Sequence, residues 1–333
     1  MKKYHVYAFG NAIVDIQVPV PFSLLNSMGI EKGVGGLVSL EEQKKVLDAL
    51  TEYEHSIACG GSAANTGIAV SQLGGRSYFA GKVAPDQYGG LYAQSLSQEN
   101  VDSNVTMSKD SGVTGSCAIM ITPDAQRTMR TYLGITETLC EKQIVEEALT
   151  ASHFLFMEGY LASQAKAIVA AKKSIILAKK AGVQVAFSFS DPAMVEYCKE
   201  GLLDIMQEGL DILFCNEEEA HRFTHTKNTQ DAIPILKKYT KNLVITRGER
   251  GSFIFCDNDC IQIAPLKVQA VDTTGAGDAY AGALLYALSQ GKDYSYAGNL
   301  ASFFAAQVVA KRGPRLSHAE AVQTLENFLK MRG

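Results

Sequence analysis

The most informative stretch of this chain reads Asp272-Thr-Thr-Gly-Ala-Gly-Asp278, followed directly by Ala279-Tyr-Ala-Gly-Ala-Leu-Leu285. The small and apolar run after Asp278 predicts a buried helix that stops near Gly291. Gly275, Ala276 and Gly277 would then form the loop that leads into its first turn. Backbone N–H groups at the start of a helix have no partner within the helix, so this turn is a candidate anion site.

Asp278 is the feature of this turn that needs a chemical explanation. A carboxylate beside a bound phosphate would repel it unless the carboxylate takes part in the reaction. General-base catalysis fits: Asp278 would take the proton of an attacking hydroxyl while the turn stabilises a transferring phosphoryl group. The alternative is a tight turn with an acidic helix start, since aspartate is favoured in a first turn. Short motifs also arise by chance, so the choice depends on the rest of the chain.

The bulk composition describes an ordinary globular chain. Its 333 residues are 47% hydrophobic and 20% charged, enough to bury a sizeable core in one large α/β domain or two smaller ones. A net charge of −4 without a basic block argues against nucleic acid or an anionic membrane as partner. We expect no signal peptide or membrane span. The odd count of 7 cysteines, without C-x-x-C pairs, favours reduced thiols and a cytoplasmic location.

The second half of the chain alternates between two kinds of pattern. Helical patterns span roughly residues 164–181, 196–208 and 229–240. Between them lie short apolar runs that read as buried strands: 154–157, 183–189, 211–215 and 243–246. This rhythm predicts βαβ units, a parallel sheet and right-handed crossovers, and such sheets bind ligands beyond the carboxyl ends of their strands.

The first half has a different texture. Alternating stretches over residues 4–21 and 112–133 read as strands, with a hairpin turned at Pro123-Asp124. Several such strands could build a small sheet that projects from the main body. No linker, repeat or low-complexity tract divides the chain, so we expect a single unit spanning residues 1–333.

Four further segments carry candidate site residues. In Ala58-Cys-Gly-Gly-Ser-Ala-Ala-Asn65, Ser62 can cap a helix, and Asn65 on its first turn offers a donor and acceptors to a hydroxylated substrate. The alternative for Asn65 is an exposed or capping residue. Asp15 lies among apolar residues and therefore needs a partner, either a pair of sugar hydroxyls or a structural Arg or Lys.

Two segments follow predicted strands of the second half. Asn216 and Glu219, three residues apart, could face one point above the sheet and suit a hydrated Mg²⁺ and phosphate oxygens, although acidic residues are common in first turns. Thr246-Arg-Gly248-Glu-Arg-Gly251 could lie under a nucleotide, or be a plain β-turn. The chain has no P-loop, no G-x-G-x-x-G and no G-x-S-x-G motif, which argues against P-loop enzymes, dehydrogenases and serine hydrolases.

Taken in order, these motifs resemble the ribokinase-like (PfkB) family of carbohydrate and nucleoside kinases over nearly the whole chain. The resemblance implies a three-layer α/β/α core with a mostly parallel central sheet and a small β-sheet lid. The lid would be formed by strands from about residues 11–21, 34–40 and 112–134, and the core by the remainder. It also implies transfer of the ATP γ-phosphate, with Mg²⁺, to a primary alcohol.

The resemblance implies a role for each matching position. The base would be Asp278, and the anion hole would be formed by Gly275, Ala276 and Gly277. ATP would be bound by Asn216, Thr246, Gly248 and Gly251, and Mg²⁺ would be held through water by Asn216 and Glu219. Asp272, with oxygens near Thr274 and in residues 309–315, resembles the family's monovalent-cation site, which would hold K⁺.

Within the family the chain looks most similar to adenosine kinases and their bacterial sugar-kinase relatives. By that likeness Asn11, Asp15, Gly61, Ser62 and Asn65 would hold a ribose, while Cys117, Met129 and Leu133 would line an apolar slot for a base. The resemblance therefore predicts a kinase of the 5′-hydroxyl of a ribonucleoside such as adenosine. A kinase of a free sugar or sugar phosphate is the alternative, and a dehydrogenase or a non-catalytic binding module fits less well. A monomer and a lid-mediated homodimer both remain open.

Overall fold

The computed structural model describes residues 2–107, 110–124, 126–257 and 259–331. Two β-sheets organise this part of the chain, a larger one of nine strands and a smaller one of five. The larger sheet has the order β14-β13-β12-β11-β10-β9-β1-β5-β6, and the strands from β12 to β6 are all parallel. Only β13 and β14, at one edge, pair antiparallel. The larger sheet comprises β1 Tyr4–Phe9, β5 Ser77–Ala80, β6 Val101–Ser103, β9 Ser152–Glu158, β10 Gln184–Ser188, β11 Leu210–Asn216, β12 Thr240–Thr246, β13 Ser252–Cys256 and β14 Asp259–Ile263.

The smaller sheet, which we call the lid, has the order β3-β8-β7-β2-β4. Its strands are β2 Ile13–Pro19, β3 Gly35–Leu37, β4 Ser56–Cys59, β7 Gly115–Ile121 and β8 Arg127–Tyr132. The hairpin between β7 and β8 turns at Pro123 and Asp124, as the sequence predicts. Ala125 of this connection lies outside the described residues.

Helices pack on both faces of the larger sheet because its strands are apolar on both sides. Along β1, Val6 and Ala8 belong to one core cluster and Tyr7 and Phe9 to the other, as the alternation of a strand requires. The α-helices are α1 Phe22–Ser27, α2 Leu40–Leu50, α3 Ser62–Gln72, α4 Gln87–Gln98, α5 Glu146–Thr150, α6 Ala165–Lys180, α7 Pro192–Tyr197, α8 Lys199–Met206, α9 Glu217–Thr224, α10 Thr229–Leu236, α11 Ala276–Ser289, α12 Tyr294–Val309 and α13 His318–Lys330. None of the helices in the described ranges is long and apolar enough to cross a bilayer.

The two faces of the lid differ in what covers them. On the outer face, Ile16, Val18 and Met120 pack in a cluster with residues of α1 and α2. On the inner face, Ile13, Cys117 and Ile119 form a separate apolar cluster. Strand alternation places Asp15 on this inner face, between Ile13 and Gln17.

Most of the predicted elements are confirmed, with three corrections. The lid takes a fifth strand, β4, whose residues we expected in the core. The helix expected at 196–208 is two helices, α7 and α8, separated at Cys198. Helix α3 begins with Gly61 as its N-cap, so the capping role expected for Ser62 is wrong. The Ser62 hydroxyl is therefore available to a partner outside its own helix.

Candidate active site

The turn before α11 is shaped by Gly275. This residue is the N-cap of α11 with a left-handed φ of 73°, and a Cβ there would lie 2.1 Å from the carbonyl oxygen of Pro314. A side chain at this position is therefore excluded by conformation and by space. Ala276 donates its N–H to Thr273, whereas the N–H groups of Gly275 and Gly277 have no partner within the described part of the chain. The predicted anion hole is thus a helix start with free donors, and Gly277 is exposed.

Close packing of α3 against α11 fixes the surroundings of Asp278. A Cβ on Gly282 of α11 would lie 2.6 Å from the carbonyl oxygen of Thr66, so only glycine permits this approach. The contact brings the first turns of both helices together. The Ser62 hydroxyl donates to one oxygen of Asp278 at 2.6 Å, and Asn65 Nδ2 donates to the other at 2.9 Å. The small-residue run after Asp278 therefore builds the site as well as the core.

Burial raises the pKa of Asp278, and the hydrogen bonds from Ser62 and Asn65 and the charge of Arg315 lower it in part. The sequence suggested only that a helix start favours the anion. The structure adds the opposing effect of burial. A base with a raised pKa accepts a proton more readily than an ordinary aspartate, which suits the predicted role.

Glu158 lies beneath the site and was not identified from the sequence. It ends β9, is fully buried, and accepts hydrogen bonds from the backbone N–H groups of Asn11 at 2.8 Å and Ala63 at 2.7 Å. Burial raises the pKa of Glu158 to about 7. This carboxyl group ties the loop after β1 to the start of α3, and so holds two predicted substrate segments in register. Its position directly after a predicted strand was the signal that could have revealed it.

Asn11, which was predicted to contact substrate, is buried and bonded mainly to other protein side chains. Its side chain is 2% exposed, and its Oδ1 accepts from Thr136 Oγ1 at 2.9 Å and Gln164 Nε2 at 3.1 Å. Its Nδ2, like Oδ1 of Asn65, is buried without a partner in the described residues. Oδ1 of Asn65 is free to bond a ligand or water, whereas the Asn11 side chain is close enough to interact with Glu158.

Asp15 faces the site from the lid. In the register of the lid sheet it lies beside Ala58 of β4 and Cys117 of β7. Within the described chain no donor bonds its carboxylate, and it forms no ion pair with an Arg or Lys. The two nearby arginines, Arg127 and Arg315, bond Asp272 and the Cys59 carbonyl instead. Burial raises the pKa of Asp15 to about 7, while the charges of Arg315 and Arg127 act in the opposite direction. Asp15 is thus a half-buried carboxyl group with unused hydrogen-bonding capacity.

The predicted base slot lies on the same face of the lid. Met129 pairs with Ile119 and Thr131 with Cys117 across β7 and β8. Met129 and Leu133 pack against the apolar cluster of the inner face, so Cys117, Met129 and Leu133 are brought together as expected. The Thr131 hydroxyl donates to Cys117 Sγ at 3.1 Å, so one polar group of the patch is already satisfied.

Asn216 and Glu219 bond to each other. Asn216 is the N-cap of α9; its Oδ1 accepts from the Glu219 N–H and Glu219 Oε2 accepts from the Asn216 N–H, both at 2.8 Å. Burial raises the pKa of Glu219 to about 7. This reciprocal capping box uses one oxygen from each side chain. Among the described residues no group of three or more acidic, His or Cys side chains could hold a metal, so any Mg²⁺ here would need ligands from phosphate and water.

The segment from Thr246 to Gly251 makes a tight connection at the same edge of the sheet. Thr246 ends β12 directly beside Asn216 in the sheet register. A short 3₁₀ turn, Gly248–Arg250, then leads into β13, with both Gly248 and Gly251 at positive φ. The turn predicted as the alternative is therefore present, next to the residues predicted to bind ATP.

The predicted monovalent-cation site is engaged by an arginine. Arg127, the first residue of β8, donates through Nη2 to Asp272 Oδ2 and through Nη1 to Thr274 Oγ1. Asp272 also accepts from the N–H groups of Thr274 at 3.0 Å and Gly313 at 2.9 Å. Although burial favours the neutral acid, these hydrogen bonds hold the pKa of Asp272 below its ordinary value. The carboxylate predicted to hold the cation is thus already bonded to a guanidinium.

Comparison with known proteins decides the family. Residues 41–321 match the pfkB family carbohydrate kinase domain. The chain belongs to this family. It therefore has the ribokinase-like α/β fold, and like other pfkB kinases it is an ATP-dependent kinase that phosphorylates an alcohol.

The relatives of this pfkB kinase are named for different substrates. It is 31% identical to the adenosine kinase from Sinorhizobium meliloti, with a TM-score of 0.88 and coverage of 96% of this chain and 99% of that one. A probable sugar kinase from Rhizobium etli CFN 42 gives 29% identity and a TM-score of 0.89, covering 98% and 99%. The ribokinase of Haemophilus influenzae is 27% identical over 298 residues, which is 87% of this chain and 94% of the relative.

The pfkB kinase thus combines predicted and unpredicted site residues. The fold brings together Asp278, the anion turn, Ser62, Asn65 and the lid face of Asp15. Three charged residues were missed: Glu158, Arg127 and Arg315. Arg127 lies in a hairpin for which the sequence predicted only strands, and Arg315 in a loop for which it predicted only backbone oxygens. No local sequence pattern indicates that either arginine points inward.

Proposed function

We propose that the chain transfers the γ-phosphate of ATP to the 5′-hydroxyl of a ribonucleoside, with adenosine as the preferred substrate. The observation that carries this proposal is that Asp15 and an apolar patch lie on the same face of the lid, opposite Asp278. A carboxylate without protein donors suits two adjacent hydroxyls of a ribose. An apolar patch beside it suits a purine ring, which a free sugar lacks.

Asp278 would act as the general base. Ser62 and Asn65 hold both of its oxygens, so the carboxylate is positioned before substrate arrives. It accepts the proton of the 5′-hydroxyl as that oxygen attacks the γ-phosphorus, and the bond from phosphorus to the leaving ADP oxygen breaks. The free N–H groups at Gly275 and Gly277 would stabilise the charge on the transferring group.

The exposed N–H of Gly277, with open space where a Cβ would stand, supports ATP binding at the start of α11. Asn216 and Thr246, side by side at the ends of neighbouring strands, would flank the nucleotide. Glu219 would act on Mg²⁺ through water, because its capping bond leaves one carboxylate oxygen available. When bound with ATP, Mg²⁺ neutralises phosphate charge.

The apolar patch of Cys117, Met129 and Leu133 would contact the base from the lid side. Closure of the lid over the nucleoside would exclude water, which otherwise competes for the γ-phosphate. The second candidate function is phosphorylation of a free sugar. The likeness to the Haemophilus influenzae ribokinase favours it, and Asp15 and Asp278 would serve a ribose equally well.

A substrate panel separates the two candidates. Purified protein is incubated with ATP, Mg²⁺ and either adenosine, inosine, guanosine, ribose, fructose or fructose 6-phosphate, and ADP release and phosphorylated product are both measured. We expect adenosine to give the highest kcat/KM. A higher kcat/KM for any sugar would refute the nucleoside assignment.

The matched control substrate is 5′-deoxyadenosine, which keeps the base and the ribose diol but lacks the acceptor hydroxyl. It should compete with adenosine and yield no phosphorylated product. Product formation from 5′-deoxyadenosine would show that another hydroxyl is phosphorylated.

A further inference from the structure

Three consecutive residues, Gly313, Pro314 and Arg315, connect separate parts of the site. The Gly313 N–H donates to Asp272, and the Pro314 carbonyl lies against the turn at Gly275. The Arg315 side chain reaches further, to the lid, where Nη2 donates to the carbonyl oxygen of Cys59 at 2.6 Å. Cys59 ends β4, immediately before the glycine pair that leads into α3. Arg315 is therefore fixed at the junction of core and lid.

The other terminal nitrogen of Arg315 is unsatisfied. Nη1 is buried and has no hydrogen-bond partner within the described part of the chain. A buried guanidinium N–H without an acceptor is costly, and such groups in a cleft commonly bond a ligand. No ion pair joins Arg315 to a carboxylate in the described residues, although its charge acts on both Asp15 and Asp278.

Four titratable groups lie within electrostatic reach of this guanidinium, each from a different element: Asp15 of β2, Cys59 of β4, Tyr92 of α4 and Asp278 of α11. Tyr92 is already bonded to the carbonyl of Gly60 at 2.8 Å. Both carboxyl groups lie close enough for the charge of Arg315 to lower their pKa, against the larger effect of burial. An anionic ligand group between them would be repelled twice, whereas a hydroxyl can donate to a carboxylate and accept from the guanidinium at once.

We propose that Arg315 contacts the substrate, donating a hydrogen bond from Nη1 to a neutral sugar oxygen held between Asp15 and Asp278. This inference rests on the proposed function only in requiring a hydroxylated sugar, free or in a nucleoside. Arg315 thereby favours a hydroxyl oxygen at this position, while the two carboxylates disfavour substrates with a phosphate or carboxylate there. Burial raises the pKa of both neighbouring carboxyl groups, and the charge of Arg315 opposes that rise.

The test compares Arg315→Gln and Arg315→Lys with wild type. In Arg315→Gln we expect KM for the sugar-bearing substrate to rise about tenfold or more, the effect of losing a charged donor, with KM for ATP unchanged. Loss of the cation also raises the pKa of Asp15 and Asp278, so the acidic limb of the kcat/KM profile should move to higher pH. Arg315→Lys keeps the charge and should retain the wild-type profile with a raised KM.

Arg76→Gln is the matched control, because Arg76 is an exposed arginine just before the N-terminal end of β5, whereas the site lies beyond the carboxyl ends of the strands. A solely structural bond to Cys59 predicts a lower melting temperature for Arg315→Gln with an unchanged KM for the sugar-bearing substrate, and that result would overturn the proposal. If Arg315→Gln does not fold, the KM of Arg315→Lys decides.

The substrate used is whichever one the wild type phosphorylates with the highest kcat/KM. If that substrate is a free sugar, the nucleoside assignment is overturned, and the same comparison of variants still decides the role of Arg315.

Discussion

The two carboxyl groups that face the cleft, Asp278 from the core and Asp15 from the lid, are held in different ways. Asp278 has a hydrogen-bond donor on each oxygen, from Ser62 and Asn65 of a tightly packed helix. Asp15 has no donor in the described chain, and burial raises its pKa to about 7. One carboxyl group is positioned by the protein, and the other is left for a partner that the protein does not supply.

This difference indicates a division of labour between core and lid. A general base must be oriented before the reaction, because misalignment at the reacting atom costs rate. A group that binds substrate gains from unsatisfied acceptors, since substrate hydroxyls then replace water at little cost. We therefore expect changes on the core side to lower kcat and changes on the lid side to raise KM.

The largest effect should come from Asp278→Asn. The amide keeps the shape but cannot accept the proton, so kcat should fall by ~10²–10⁴-fold. Steady-state kinetics with adenosine and ATP would measure it, with Asp48→Asn on the exposed side of α2 as the control. Near-normal turnover in Asp278→Asn would remove the assignment of the base.

Asp15→Asn should act mainly on substrate binding. Loss of charged hydrogen bonds to two hydroxyls should raise KM for the nucleoside by about ten- to a hundredfold, with a smaller change in kcat. Initial rates over a range of nucleoside concentrations would separate the two constants. A fall in kcat as large as that of Asp278→Asn would contradict the division between core and lid.

The pH dependence of this KM sharpens the same comparison. Burial raises the pKa of Asp15 to about 7, so the carboxyl group is protonated below that pH and is a full acceptor only above it. KM for the nucleoside should therefore fall as pH rises through about 7. In Asp15→Asn this dependence should disappear, and its persistence would point to another group.

Ser62→Ala should have a moderate effect on the core side. It removes one donor from Asp278, and kcat should fall by about tenfold, the value of one hydrogen bond to a charged group. Because that bond lowers the pKa of Asp278, its loss should also move the acidic limb of the kcat profile to higher pH. Ser71→Ala is the control: Ser71 is on the same helix and donates at 2.6 Å to Glu99, away from the site. Equal effects of the two variants would show only a loss of helix packing.

The smallest effect concerns the contact between lid and core at Arg127. Since its guanidinium already engages Asp272 and Thr274, replacing Na⁺ by K⁺ at equal ionic strength should leave the wild-type melting temperature unchanged. In Arg127→Gln the carboxylate is free, and K⁺ at about ten times its Kd should raise the melting temperature by about 2–4 °C. Arg130→Gln, on the same strand but bonded only to backbone carbonyls, serves as control. A potassium response in wild type would show that Arg127 yields to the cation.

Local sequence patterns were sufficient for most of the elements. The alternation of apolar strands and helices after residue 150 predicted the parallel sheet, and the run after Asp278 predicted α11 to its end near Gly291. Strand β4 was missed because four residues with a half-exposed pattern carry little periodic signal. Ser62 was misread as a cap because its actual partner, Asp278, lies more than two hundred residues away.

By itself the sequence determined which residues could do chemistry, since a glycine turn, a carboxylate and a helix start follow from covalent structure and short-range geometry. Only the tertiary structure decided which of them share partners. Glu158 bonds the backbone of two separate segments, Arg127 bonds Asp272, and Arg315 bonds the carbonyl of Cys59. These pairings depend on the close approach of α3 and α11 and on the closure of one sheet over another. Such contacts join segments far apart in the chain, so no local pattern of residue types encodes them.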